Sequence, residues 1–142
     1  MENTTTLAES IIEQIADAVI YADETGTIRR WNHAAAVLFG YDAVEALGQK
    51  LDLIIPEHLR AAHWRGFEAA VKNGALKLQG HPTLTRAAHK TERKLYVEMT
   101  FALVTGEAGG PVRGAVGVAR DVTERIEQQR ANAQRDNPKG AL

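Results

Sequence analysis

His63 is the residue whose type and position most directly suggest chemistry. It lies in LRAAHWRGFEAAV, residues 59–71, where apolar side chains recur every three or four residues and mark the buried stripe of a helix. His63 falls inside that stripe, while Arg60, Arg65 and Glu68 fall on the opposite, solvated side. A buried imidazole needs a partner. That partner is either a backbone carbonyl, which would make His63 structural, or a metal centre that takes its nitrogen as a ligand.

The rest of the sequence offers little other chemistry. The chain has no cysteine, which excludes disulfides, thiolate metal sites and cysteine nucleophiles and fits a cytoplasmic location. We find no Ser-His-Asp order, no phosphate-binding glycine loop and no carboxylate pair in a catalytic context, so we expect no enzymatic activity. The other histidines His33, His58 and His89 fall on polar or turn segments, where a solvated side chain is the simplest interpretation.

Hydrophobic periodicity and turn residues predict the elements that must position His63. Helices are expected before residue 16, as two short pieces between residues 32 and 47, from Pro56 to Asn73, and after Thr123. Strands are expected over residues 18–23, 27–31, 75–86, 93–104 and 111–122. This order describes a five-stranded antiparallel sheet with helices crossing one face, an α+β fold.

One domain is expected, because 142 residues with 44% hydrophobic content suffice for a single core. We divide the chain into an N-terminal cap helix (1–16), a core (17–121), a C-terminal helix (122–134) and a disordered tail (135–142). The 17 basic and 18 acidic side chains nearly cancel and form no basic stripe, so neither nucleic acid nor a membrane is expected as a partner. No apolar run approaches the roughly 20 residues that span a bilayer.

The order of elements and four short segments together resemble the PAS sensor domain. The segments are GTIRRWNHAAAVLFGY, EALGQKL, IIPEHLR and GVARDVTER, and the resemblance covers about residues 10–128. It implies a sensory function within a homodimer. In PAS domains the end of the last strand, here Asp121-Val122-Thr123, leads into a helix that passes the signal to an output module, so the helix after Thr123 is the expected output.

A narrower similarity gives His63 a specific role. IIPEHLRAAH, residues 54–63, looks like the segment in haem-binding PAS domains of oxygen-sensor histidine kinases and direct-oxygen-sensor phosphodiesterases, whose matching histidine is the proximal iron ligand. The resemblance therefore implies b-type haem bound through His63. The phosphodiesterases place a second axial ligand just after a glycine on the next strand, which here is His81 after Gly80, 18 residues beyond His63. Thr83 stands where the family carries a distal arginine.

The other cofactor contacts implied by this resemblance are apolar side chains on the helix and on the following strands. They are Leu59, Phe67, Leu78, Met99, Phe101 and Val116. Two imidazoles would make the iron six-coordinate, so O2, CO or NO must displace one of them, and His81 is the one expected to leave. Strict alternation along residues 75–86 would place His81 on the face opposite Leu78, whereas a bulge at Gly80 would reverse that order; both arrangements remain open.

Three alternatives to gas sensing remain. A change in the oxidation state of the iron would make the domain a redox sensor. The domain could instead hold FAD, FMN or another small molecule, although zero cysteines exclude the photochemistry that forms a cysteine adduct. It could also be a dimerisation module without a ligand, its core filled by its own side chains.

Overall fold

The computed structural model describes residues 6–76, 80–106 and 109–136. Five antiparallel strands form one sheet in the order β2-β1-β5-β4-β3, and helices accompany it. The strands are β1 (Ala18–Asp23), β2 (Ile28–Trp31), β3 (Thr83–Ala88), β4 (Lys94–Thr105) and β5 (Val112–Asp121). The helices are α1 (Leu7–Gln14), α2 (His33–Phe39), α3 (Ala43–Ala46), α4 (Arg60–Asn73) and α5 (Thr123–Asp136), with 3₁₀ turns at Leu51–Ile54 and Glu57–Leu59. The predicted α+β fold is confirmed.

The third strand is shorter than expected and begins later. It was predicted over residues 75–86 but starts at Thr83, and residues 77–79 of the predicted span lie outside the described ranges. Gly80 has a left-handed φ of 76°, and Pro82 lacks the N–H that a ladder requires, so regular pairing can begin only after both. At the C-terminus, α5 continues to Asp136, two residues beyond the predicted helix.

Asn32 joins α1, β1 and α2 through its side chain, which is 2% exposed. Its carboxamide oxygen accepts hydrogen bonds from the amides of Val19 and Ala35, at 2.9 and 3.0 Å. Its amide group donates to the carbonyls of Ile12 and Asp17, at 2.8 and 3.0 Å. Asn32 therefore caps α2, and the same residue also fixes the entry into the sheet.

The hydrophobic core lies on one face of the sheet, against α2, α3 and the first 3₁₀ turn. Strand β4 contributes Leu95, Val97 and Met99 to it, all 8% exposed or less, while the residues between them face the other way. This alternation of buried and partly buried side chains holds as far as Met99. Phe101 is 40% exposed, so the core ends before this strand does.

The β1–β2 hairpin is closed by a hydrogen-bonded carboxylate. Asp23 accepts from the amide and hydroxyl of Thr25, at 2.9 and 2.6 Å, and from the amide of Thr27 at 3.2 Å. Arg29 Nε lies 2.9 Å from its second oxygen. Burial raises the pKa of Asp23, but the bonds from Thr25, Arg29 and Thr27 outweigh burial and hold the pKa well below its ordinary value.

Asp23→Asn is expected to lower the free energy of unfolding by about 1–2 kcal/mol near neutral pH, because the charge-assisted bonds are lost. Since the folded-state pKa is depressed, the stabilisation by Asp23 is complete above about pH 4 and is lost as pH falls through the folded-state pKa. Urea denaturation at about pH 7 and about pH 3 measures this difference. From the higher to the lower pH, the wild type should lose more stability than Asp23→Asn does. An equal loss would contradict the stabilising role of the Asp23 carboxylate. Glu24→Gln, a change at an exposed position of the same turn, is the control.

Candidate functional site

The imidazole of His63 is partly buried near the N-terminal end of α4, and its Nδ1 atom is fully enclosed. No hydrogen-bond partner for Nδ1 exists among the residues that the structure describes, so the backbone-carbonyl interpretation finds no support at this atom. Burial lowers the pKa of His63, opposed by the negative charge of Asp52. The ring is therefore neutral near pH 7, which is the form that can donate a lone pair to a metal or accept a hydrogen bond.

Three aromatic rings on the first turns of α4 pack together. The His63 ring lies 4.9 Å from the Trp64 ring, edge to face at 73°, and 5.9 Å from the Phe67 ring at 33°. Trp64 and Phe67 also meet edge to face, with centroids 5.5 Å apart. We call His63, Trp64 and Phe67 the aromatic cluster. These contacts limit the orientations that the imidazole can adopt.

Trp64 ties α4 to two other parts of the chain. Its indole Nε1–H donates to Asp52 Oδ1 in the first 3₁₀ turn, at 2.7 Å. Its ring lies against Gly26 of the β1–β2 hairpin, where a β-carbon would fall 2.2 Å from Cη2. Arg60 adds a second tie, since its guanidinium donates to the carbonyls of Ile55 and Asp52 at 3.0 and 3.3 Å. We call the contacts of Trp64 with Asp52 and Gly26 the Trp64 anchor, and sequence periodicity did not identify it.

Two of the predicted contacts, Met99 and Phe101, lie on the core-bearing face of β4. A β-carbon at Gly117 of β5 would lie 3.1 Å from Met99 Cε and 3.4 Å from the Phe101 ring, so these two side chains already pack closely over the glycine. Val116 is different. It pairs with Tyr21 and Ala102, and alternation turns its side chain away from Met99 and Phe101, contrary to the prediction.

The remaining predicted contacts are dispersed. Leu59 is partly buried in the turn before α4, and Phe67 belongs to the aromatic cluster. Leu78 lies outside the described residues. His81 is exposed in the turn before β3, and its ring is absent from the aromatic contacts recorded across the described part of the chain. The structure thus brings His63 and Phe67 together and leaves His81 apart from them.

A groove of about 850 Å³ opens elsewhere, at the end of the sheet where β1 begins and β5 ends. Its walls include Ile15 after α1, Val37 and Leu38 of α2, and Arg93 before β4. None of the predicted cofactor contacts lines it. Val37, which is 68% exposed, lines this groove, and the sequence pattern did not predict the groove.

The start of the C-terminal helix α5 is hydrogen-bonded to the backbone of Tyr96 in β4. The Val122 amide donates to the Tyr96 carbonyl at 2.9 Å, and the Tyr96 amide donates to Thr123 Oγ1 at 2.9 Å. Further along α5, Ile126 is 9% exposed and the Arg130 guanidinium lies 4.9 Å from the Tyr96 ring centroid. Arg125 pairs with Glu98 at 3.5 Å. The helix therefore packs on the side chains of β4 that face away from the core.

Comparison with known proteins agrees with this architecture. The cell-division control histidine kinase PdhS of Brucella ovis is 28% identical over 132 residues, 90% of this chain and 12% of that protein. A PAS domain from Colwellia psychrerythraea superposes with a TM-score of 0.71 at 24% identity, covering 82% of this chain and 95% of that one. An RNA-binding light-oxygen-voltage receptor superposes with a TM-score of 0.68 at 23% identity, covering 96% and 41%.

The chain spans 16% and 12% of the length of two curated relatives that it matches, so it corresponds to one module of those proteins. In the described ranges, none of the helices has both the length and the apolar character needed to cross a membrane. A family model described as the PAS fold matches residues 6–122. Because that match takes in most of the sequence, the chain belongs to the PAS family of sensory domains.

Proposed function

We propose that this PAS domain senses through a planar cofactor held beside α4, with His63 as its principal polar contact. The observation that carries the proposal is the enclosed Nδ1 atom of His63, which lacks a partner among the described residues. A buried polar atom without a partner costs free energy, and a bound ligand would remove that cost. The aromatic cluster and the apolar side chains of Met99 and Phe101 over Gly117 offer the apolar surroundings that flat ligands favour.

Haem b is the cofactor that suits a neutral, partly buried imidazole best. His63 would hold the iron through a ring nitrogen, and Phe67 and Met99 would contact the macrocycle. Bound haem would supply an iron that takes up O2, CO or NO, or changes oxidation state. His81 is exposed, so a role as second ligand requires the turn before β3 to bring it inward. No three His, Asp or Glu side chains converge as a metal site in the parts of the chain described, so His63 would hold iron only within a macrocycle.

A flavin is the second candidate, and the likeness to the light-oxygen-voltage receptor supports it. FMN or FAD would contact the same apolar face, and His63 would form a hydrogen bond to the ring system instead of a bond to a metal. The chain has no cysteine, so a flavin here would act through redox change and not through a cysteine adduct.

An absorption spectrum of the protein, purified from cells supplied with haem precursor and riboflavin, tests the proposal. A sharp Soret band supports haem, and a broader visible band with flavin fluorescence supports FMN or FAD. A colourless protein that binds neither added hemin nor FMN overturns the proposal and leaves a dimerisation module without a cofactor.

The signal is proposed to leave through α5, towards an output domain or a second copy of the chain. Val97 and Met99 of β4 face the core, while Tyr96 and Glu98, which alternate with them along the strand, contact α5. A shift of β4 caused by a bound ligand would therefore directly change how α5 packs on the sheet. The kinase relative supports an output of this kind, because this chain matches only a small part of it.

Ile126→Ala is expected to loosen α5 by about 1–2 kcal/mol, because Ile126 is its apolar anchor on the sheet. Backbone amide exchange in α5 should then be about tenfold faster, while exchange in β4 is unchanged. Glu127→Ala, a change at an exposed position of the same helix, is the matched control. Equal exchange rates in the two variants would show that α5 does not depend on this anchor.

A further inference from the structure

We propose that Asp52 and Trp64 are positioning residues for His63: the carboxylate fixes the indole, and the indole fixes the orientation of the imidazole toward its ligand. This inference rests on the proposed function, since it concerns the same site. It adds two residues that no sequence pattern singled out as part of that site.

The first step of the argument is the restraint on Trp64. The indole is held at its N–H by Asp52 at 2.7 Å and at its far edge by the surface of Gly26. These restraints act at opposite ends of the ring and come from two segments outside α4. A planar side chain held at both ends has little freedom to rotate.

The second step is the contact between Trp64 and His63. The two rings meet at 4.9 Å and 73°, with Phe67 against the imidazole at 5.9 Å. The imidazole therefore contacts both a fixed indole and a phenyl ring one turn later on the helix, and those two rings also contact each other. If the indole rotates away, the His63 side chain can adopt more rotamers. Ligand binding must then order that side chain, and the lost conformational entropy weakens the affinity.

The third step concerns the charge of Asp52. The carboxylate lies close enough to oppose the effect of burial on His63. Two roles for Asp52 can thus be separated, one as a hydrogen-bond acceptor for Trp64 and one as a negative charge near the imidazole. Asp52→Asn retains the acceptor oxygen and removes the charge, whereas Asp52→Ala removes both.

The test measures hemin and FMN binding by Asp52→Asn, Asp52→Ala and Trp64→Phe. For the cofactor that the wild type binds, Asp52→Ala and Trp64→Phe should each weaken affinity about tenfold, because each breaks the same hydrogen bond. Asp52→Asn should stay within about threefold of the wild type, because asparagine still accepts from the indole. The double variant Asp52→Ala with Trp64→Phe should be no weaker than either single variant, since the bond can be lost only once.

A control separates positioning from general loss of stability. Asp42→Ala removes the capping box of α3, which lies outside α4, and is expected to destabilise the fold without breaking a contact of the aromatic cluster. If Asp42→Ala weakens cofactor binding as much as Asp52→Ala does, the positioning role is overturned. Two other results overturn it as well. One is a double variant whose loss of cofactor affinity is the sum of the two single losses, and the other is an Asp52→Asn protein that loses as much cofactor affinity as Asp52→Ala.

NMR of the protein without added cofactor keeps this inference distinct from the proposed function. At a pH where His63 is neutral, Asp52→Ala and Trp64→Phe should both shift and broaden the His63 ring resonances relative to the wild type. Asp52→Asn should keep these resonances as sharp as they are in the wild type. If the wild type binds neither hemin nor FMN but this pattern appears, the positioning contact stands and the cofactor proposal fails. Unchanged ring resonances in Asp52→Ala would overturn the positioning contact, whatever the protein binds.

Discussion

Replacing His63 with alanine is expected to abolish haem retention by this domain. His63 is the imidazole with a ring nitrogen that is enclosed and without a partner among the described residues, and alanine offers iron no donor atom. Removing groups that only orient a metal ligand typically costs about 10–100-fold in affinity, so loss of the ligand itself should exceed about 100-fold. The Soret band of the purified variant, normalised to protein concentration, measures the result.

The other histidines supply matched controls. His58→Ala alters an exposed residue in the turn before α4 and should leave the spectrum unchanged. His81→Ala should retain haem, and it should open one coordination position only if His81 moves inward to bind the iron. A His63→Ala protein that keeps the wild-type Soret band would remove His63 from the site and would refute haem binding through this residue.

The same variant also distinguishes a flavin from haem. An imidazole that only hydrogen-bonds to a flavin contributes about 1–2 kcal/mol, so its loss should weaken FMN binding by about tenfold and leave the cofactor detectable. A complete loss of haem in His63→Ala would therefore identify a bond from His63 to the iron. A partial loss of flavin affinity would identify a hydrogen bond from His63 to the flavin.

Features that depend on local sequence were predictable. The cap at Asn32 follows from an acceptor side chain placed just before a helical pattern. The 3.6-residue period of α4 placed His63 on the more buried side of the helix, where the structure leaves it half-buried, although Ala70 alone is fully buried among the residues of α4. The alternation of β4 was equally clear as far as Met99. In each case the information lies within a dozen residues of chain.

Features that depend on pairing between distant segments were not predictable. Val116 was placed on the cofactor face, but the register of β5 against β1 and β4 turns it away. His81 was placed on a strand, but Gly80 and Pro82 delay the start of β3. The anchor of Trp64 joins residues 26, 52 and 64, and no period of a helix or strand connects these positions. Contacts of this kind follow from the fold and not from a pattern within one element.

Gly26→Ala is expected to destabilise the protein by about 3 kcal/mol and to release Trp64 from its anchor. Gly26 has a φ of 79°, which costs alanine about 1–2 kcal/mol by itself. The new β-carbon would also lie 2.2 Å from the indole, so the ring must swing away and lose its bond to Asp52. Urea denaturation measures the total, and the NMR signal of the Trp64 indole N–H reports the release.

Gly48→Ala separates the two contributions to that loss. Gly48 has nearly the same backbone angle, with a φ of 87°, but a β-carbon there would meet nothing within 4 Å. It should therefore show the backbone cost alone, about 1–2 kcal/mol, with the Trp64 signal unchanged. Trp64→Ala should destabilise the Gly26→Ala protein less than it destabilises the wild type, because in Gly26→Ala the indole has already lost its bond to Asp52. Equal losses for Gly26→Ala and Gly48→Ala would mean that the indole does not rest on the hairpin, and the hydrogen bond to Asp52 would be the one remaining restraint of the two proposed for Trp64.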